Sequence, residues 1–219
     1  YQDPRGSGHF SGRLTLPIVA AGVVAKKMLY SLTILDETPA KEVNARLVEL
    51  GGSSDEQTWQ VAIDKAMEEG DSLGAVVECT VPEIDPGYGE PFWDSVESTI
   101  AHAIFSIPGV RGLEFGDGFQ AARMKGSEHN DPIGADGRPL KNGAGGVNGG
   151  ITNGAPLTFR VAFKPTSSIR KAQQTFNFQT GEMDTLEIKG RHDACFALRA
   201  PVVVEAMTAI VLADLVLLK

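Results

Sequence analysis

Four stretches of the chain carry apolar residues at helical spacing or in runs too dense for a surface helix. Residues 15–28 are rich in Ala and Val and include Gly22, small enough for close packing, which predicts a helix buried on most sides. Residues 54–69 open with Ser54 three positions before Gln57, the spacing at which two side chains can satisfy each other's free backbone donors in a capping box. Residues 92–106 predict a third helix, closed by Pro108-Gly109. Residues 202–218 are apolar on nearly every face, so a helix there needs burial on more than one side, inside the core or between subunits.

Shorter β-branched or alternating segments predict strands at Ala75–Val81, Val110–Phe115, Leu157–Phe163 and residues 185–189. Residues 174–178 and 184–188 flank Thr180-Gly181 and can pair as a hairpin. Between Gly116 and Gly154 the chain is dense in glycine, with Asn and Asp interspersed; that is too long for an ordinary connector and predicts a functional loop set or partial disorder. The mixture predicts an α/β fold of the α+β type, helices layered on sheets, and a single domain over residues 1–219.

Composition narrows the function more than the fold. A 42% hydrophobic content supports a packed core, and a net charge of -8 argues against a general nucleic-acid partner, whose phosphates need a clustered cationic surface. Cys79 and Cys195 are far apart and lack metal-ligand spacing, so neither a disulfide framework nor a metal site is expected and a reducing cytoplasm fits. Residues 14–32 and 202–218 approach membrane length. Lys26 and Lys27 interrupt the first and Glu205 and Asp214 the second, so both predict buried helices rather than membrane spans. The chain opens on Tyr1 with no secretion-type leader, which suggests a cut or an absent leader.

Four segments concentrate chemistry. Residues 5–13, RGSGHFSGR, set glycines ahead of a helix start whose free N–H groups would welcome an anion, although a surface loop capped by Ser11 explains them as well. Residues 145–154, GGVNGGITNG, give backbone bare enough to approach a flat ring or a phosphate; their spacing matches neither a Walker loop nor a dinucleotide fingerprint, and a plain flexible loop is the alternative. Residues 164–169, KPTSSI, follow a strand with one cation and three hydroxyls, either a phosphate clamp or a hydrophilic turn. Residues 190–195, GRHDAC, place an anion binder, a proton-transfer group and a carboxylate within one turn, or else an ordinary ion pair.

Together with residues 126–131, GSEHND, these segments occur in the order and approximate spacing of the chorismate synthase family, which the whole chain resembles. The resemblance implies a chorismate synthase-like β-α-β sandwich with helices layered between sheets. It implies a lyase that converts 5-enolpyruvylshikimate 3-phosphate to chorismate by a 1,4-elimination of phosphate, with reduced FMN as cofactor and NADPH only as a possible flavin reductant. It also implies a homotetramer, with a dimer possible for this chain. By matching position, His9, Phe10 and Ser11, Pro108 and Gly109, Gly149, Lys164, Pro165, Thr166, Ser167 and Ser168, and Arg191 become the flavin contacts. Asp193 becomes the carboxylate near the flavin N5 edge, placed to accept or relay a proton.

Two departures qualify the resemblance. His9-Phe-Ser-Gly stands where many members carry Arg-Ser-Ser-Ala, which removes one arginine from the flavin loop. The Gly-x-Ser-His-Gly and Pro-Gly-His-Ala-Asp histidine motifs of the family are not in this sequence, and His9, His102, His129 and His192 match neither. His102 is expected to be a packed helix residue. The chain is therefore read as the C-terminal part of such an enzyme with little activity alone, and a non-catalytic oligomerisation or partial flavin-binding remnant is the alternative.

Overall fold

The computed structural model describes residues 11–35, 42–82, 84–190 and 192–218. A four-stranded antiparallel sheet forms the base of the fold. Its strands are β1 (Asn44–Leu50), β2 (Ala75–Val81), β3 (Val110–Phe115) and β6 (Leu157–Phe163), in the order β1-β2-β6-β3. Leu157, Phe159, Val161 and Phe163 alternate inward along β6, and Val77, Cys79 and Val81 do so along β2. A buried row of this kind contributes on the order of 1.5–3 kcal/mol per large side chain. The bounds of β2, β3 and β6 agree with the sequence pattern. Strand β1 was not expected, because Arg46 and Glu49 break the apolar alternation and the register shifts between Leu47 and Glu49.

Helices α1 (Thr15–Leu35), α3 (Val96–Ile104) and α5 (Ala200–Leu217) lie on the inner face of the sheet. Helix α5 is the centre of this layer, with Val204, Ala209 and Leu212 buried between the sheet and α1. A Cβ on Gly22 would sit 2.6 Å from the Cα of Ala206, so glycine lets the α1 and α5 backbones touch. Glu205 ties three elements: it accepts from Lys26 Nζ at 2.6 Å and from the Ala45 amide at 2.9 Å. On the far side of α1, Leu16, Val23 and Tyr30 are exposed, so this helix is only half covered by the described residues.

The other helices correct the sequence reading in detail. In α2 (Glu56–Glu69) the cap is Asp55, whose carboxylate accepts from the Gln57 amide, and not Ser54; Gly70 at φ 70° closes it. The helix expected over residues 92–106 is broken. Phe92–Asp94 form a 3₁₀ turn with Phe92 at φ 66°, and α3 starts afresh where Ser95 caps the Ser98 amide. Helix α5 begins two residues before the expected start, and α1 runs seven residues past its expected end. The strand expected over residues 185–189 is shifted: β7 (Gln173–Asn177) and β8 (Glu182–Leu186) pair as a hairpin around Thr180-Gly181.

The glycine-rich stretch is built rather than loose. It holds a 3₁₀ turn over Gly118–Arg123, the short helix α4 (Gly126–His129), and a small hairpin of β4 (Val147–Asn148) and β5 (Ile151–Thr152).

Candidate functional site

The C-terminal end of β6 gathers most of the residues in question. Val110 pairs with Phe163, and the Lys164 amide donates to the Gly109 carbonyl at 2.9 Å, so Pro108-Gly109 and Lys164-Pro165 lie side by side. Gly109 has φ 93°, and a Cβ there would meet the Phe196 ring at 2.2 Å. Phe196 in turn packs edge-on to Phe163, with centroids 6.0 Å apart, which brings residues 192–196 to the same end of the strand. The loop after α2 holds both: Ser72 Oγ donates to the Thr166 carbonyl at 2.7 Å, and the Leu73 amide donates to the Ala194 carbonyl at 2.7 Å.

Within this cluster Lys164 Nζ donates to Ser167 Oγ at 2.7 Å. The Thr166 hydroxyl is buried and has no hydrogen-bond partner among the described residues. A buried orphan hydroxyl beside a cation and two exposed serines, Ser167 and Ser168, fits a polar or anionic group supplied from outside the chain. Asp193 is exposed and paired with Arg199, and His192 Nε2 lies 3.0 Å from the Ile188 carbonyl.

Other expected site residues lie elsewhere. Gly149 is exposed at the β4–β5 turn, whose neighbour Gly150 accepts from the Val96 amide at the start of α3. It therefore sits toward the opposite end of α3 and β6 from Lys164, and β6 alone spans about 20 Å at ~3.3 Å per residue. Ser11 accepts from the Arg13 amide and caps the turn ahead of α1; no described contact joins it to the cluster. His9, Phe10 and Arg191 lie outside the described residues. His102 is exposed, not packed, and lines an open apolar cleft between α1, α3 and α5 with Val24, Met28 and Trp93.

Sequence reasoning missed the residues that brace the glycine-rich stretch, although they sit in and around the quoted GSEHND segment. Asp131 accepts from the Gly143 and Ala144 amides at 2.8 and 2.9 Å. Lys141 Nζ donates to the Glu128 and His129 carbonyls at 2.7 and 3.1 Å, which closes the C-terminal end of α4. Asp117 Oδ2 is 3.1 Å from His129 Nδ1 and 3.3 Å from Lys141 Nζ, and the hydrogen bond from His129, then that from Lys141, holds its carboxyl below the usual range.

A family model described as chorismate synthase matches residues 1–217 of the chain. The chain belongs to the chorismate synthase family. A chorismate synthase of Chitinophaga pinensis is 56% identical over 220 residues, covering 100% of this chain and 63% of that protein. One of Korarchaeum cryptofilum is 46% identical and covers 98% of this chain and 65% of its own length. A solved structure titled "Crystal Structure of Chorismate Synthase" superposes with a TM-score of 0.76 at 29% identity, over 95% of this chain and 65% of that one. The chain thus spans about two thirds of the length of these chorismate synthases, 63% to 65% in each. The α+β architecture expected from the resemblance is the one found.

Proposed function

We propose that this chain carries the flavin-holding part of a chorismate synthase, a lyase that eliminates phosphate from 5-enolpyruvylshikimate 3-phosphate to give chorismate. The observation that carries this reading is the unpartnered Thr166 hydroxyl, buried beside Lys164 and Ser167 in a chain that matches the family along its length. When bound, reduced FMN supplies transient electron density that eases loss of phosphate from the substrate.

The chain's own residues would do the positioning. Lys164, Thr166, Ser167 and Ser168 offer one ammonium and three hydroxyls to the polar edge or phosphate of the flavin. Pro108 and Gly109 form the adjoining wall, where the glycine keeps the backbone close to Phe196. Asp193, oriented by Arg199, accepts or relays the proton that leaves the substrate. Arg191 and the His9–Ser11 loop would supply further flavin contacts, and Gly149 would meet the far end of an extended ligand or one held by a neighbouring copy. The helical layer would take a second sheet on the exposed side of α1, with assembly to a homotetramer and a cytoplasmic location as in our reading of the family.

Flavin binding tests the reading. Lys164→Ala and Thr166→Val, in the full-length protein, should each weaken FMN binding by about tenfold as read by flavin fluorescence, the worth of one charge-assisted or desolvated hydrogen bond. Unchanged affinity in both would remove the site. A polypeptide of these 219 residues lacks both family histidine motifs. Its turnover in an anaerobic assay with reduced FMN is expected near background, because general acid and base steps contribute roughly 100- to 10,000-fold each.

A further inference from the structure

The five residues between α2 and β2 form a strap along residues 163–171, and none of them is among the groups assigned above to the flavin. Gly70 closes α2 at φ 70°, and its carbonyl accepts from the Arg170 and Lys171 amides, both at 3.0 Å. Asp71 pairs with Lys171 Nζ at 3.0 Å. Ser72, buried at 8% exposure, donates through Oγ to the Thr166 carbonyl at 2.7 Å. The Leu73 amide donates to the Ala194 carbonyl at 2.7 Å. A Cβ on Gly74 would stand 2.8 Å from the Phe163 carbonyl oxygen and 3.3 Å from Pro165 Cδ, so its backbone lies against the end of β6. Residues 163–171 are thus held at both ends, and Ser72 is the side chain that holds them in between.

We propose that Ser72 is a positioning residue for the flavin, setting the direction of the Thr166-Ser167 peptide so that its donors face the ligand; this role rests on the reading of Lys164 to Ser168 as a flavin-holding turn. A trans peptide is planar, and its C=O and N–H point in opposite directions. With the Thr166 carbonyl drawn to Ser72, the Ser167 amide is turned away from the strap, and it has no acceptor among the described residues. The same bond limits rotation at Thr166, whose buried hydroxyl also lacks a partner among the described residues. Two donors are therefore left for a group from outside the chain. The turn has little else to fix them. Ser167 and Ser168 are exposed, and among the described residues its internal side-chain bond is the one from Lys164 Nζ to Ser167 Oγ. Without the Ser72 hydroxyl the peptide can flip, which would present a carbonyl oxygen where an N–H stood and repel an anionic or carbonyl-bearing edge of the ligand. Ser72 itself cannot follow such a flip, because Gly70 and Asp71 tie the strap to residues 170–171 and Leu73 ties it to Ala194.

The test measures FMN affinity by flavin fluorescence in the full-length protein. Ser72→Ala should weaken binding about fivefold, the worth of one ordinary hydrogen bond, and Ser72→Thr, which keeps the hydroxyl, should recover affinity to within about twofold of the parent. Combined with Thr166→Val, itself expected to cost about tenfold, Ser72→Ala should bring the total loss to less than about thirtyfold, where independent effects would multiply to about fiftyfold. That shortfall separates positioning through Thr166 from a general loosening of the fold, which would add in full. Should Ser72→Ala fail to fold by circular dichroism, Ser72→Cys, close in size and a much weaker donor, takes its place with the same expectations. Affinity for Ser72→Ala within about twofold of the parent, no recovery with Ser72→Thr, or a double variant weakened beyond about thirtyfold would overturn the role of Ser72 while Lys164→Ala and Thr166→Val still weaken binding. If those two variants bound FMN as the parent does, the flavin reading itself would fall, and the role of Ser72 with it.

Discussion

The glycine-rich stretch from Gly116 to Gly154 and the β7–β8 hairpin differ in secondary structure and, in the opposite sense, in what holds them. Every strand residue of the hairpin but Asn177 is exposed, including Phe176, Met183 and Leu186. The glycine-rich stretch has almost no regular structure, yet Val147, Thr152 and Gly145 are buried and Asp131, at 6% side-chain exposure, ties its amides down. Regular hydrogen bonding and structural commitment are thus separate properties. The hairpin satisfies its own backbone and owes little to the body, whereas the loops satisfy theirs partly among themselves, as from the Asp117 amide to the Gly143 carbonyl, and partly through the body, as from the Gly116 amide to the Thr158 carbonyl and from the Thr152 amide to the Tyr88 carbonyl.

The sharpest way to break this contrast is at Gly116. It has φ 52°, and a Cβ there would stand 2.2 Å from the Gly143 carbonyl oxygen and 2.5 Å from the Gly145 amide nitrogen. Both contacts are backbone and cannot swing away. Gly116→Ala should cost on the order of 4 kcal/mol, from left-handed strain and displacement of the loop together, read as a lowered urea midpoint. A loss below about 1 kcal/mol would mean that the stretch is looser than its hydrogen bonds indicate.

Asp131→Ala comes next. It strands the Gly143 and Ala144 amides, at about 1–3 kcal/mol for each buried group left without a partner. The expected total is about 3 kcal/mol, with faster hydrogen exchange confined to the loops and little change in β2. Uniformly faster exchange across the sheet would contradict the local brace.

A smaller effect is expected from acid. The Asp117 carboxyl is held below its ordinary value of 3.8 by His129 and Lys141, so its contribution is fully present above that value and lost as pH falls through the lowered folded pKa. The groups are partly exposed, so the gain is modest. Protection of the loop amides should fall below pH 3.8 in the native chain, and Asp117→Asn should flatten that dependence. Equal acid sensitivity in both would assign the loss to other carboxylates.

How much of this was legible in the sequence follows from which interactions are local. Strands β2, β3 and β6 show in the alternation of Val, Phe and Leu, because each buries one face. Strand β1 hides behind its bulge and its charges, and the break at Phe92–Asp94 hides because a strained turn and a helix start share an apolar pattern. The meeting of Gly109, Lys164 and Ala194 depends on strand register and on the Ser72 loop, which no local pattern encodes; the family resemblance pointed to those residues, and the hydrogen bonds show why they adjoin. Gly149 shows the converse. A motif places it among flavin contacts, while the Val96–Gly150 bond sets it toward the other end of β6.

The least effect is expected at the hairpin tip. Phe178 is 92% exposed and touches chiefly Phe176, whose ring lies 5.4 Å away at 82°. An edge-on aromatic pair is worth about 0.5–1.5 kcal/mol, but here it supports only the hairpin, and an isolated two-stranded hairpin is marginal in water. Phe178→Ser should therefore raise the exchange rate of the β7 and β8 amides severalfold while changing global stability by less than about 0.5 kcal/mol. The two readouts separate because unfolding of the hairpin need not cross the core: its base is anchored by the Arg170 and Lys171 amides, which both donate to the Gly70 carbonyl at 3.0 Å, and by the Lys171–Asp71 pair. If the substitution lowered the urea midpoint as far as Asp131→Ala does, the hairpin would have to be packed against the body in solution, and the contrast between the two regions would fail. If it left the exchange rates untouched as well, the Phe176–Phe178 contact would carry no stability at all, and the hairpin would rest on its backbone ladder and on the Gln174–Thr185 and Asn177–Asp184 hydrogen bonds.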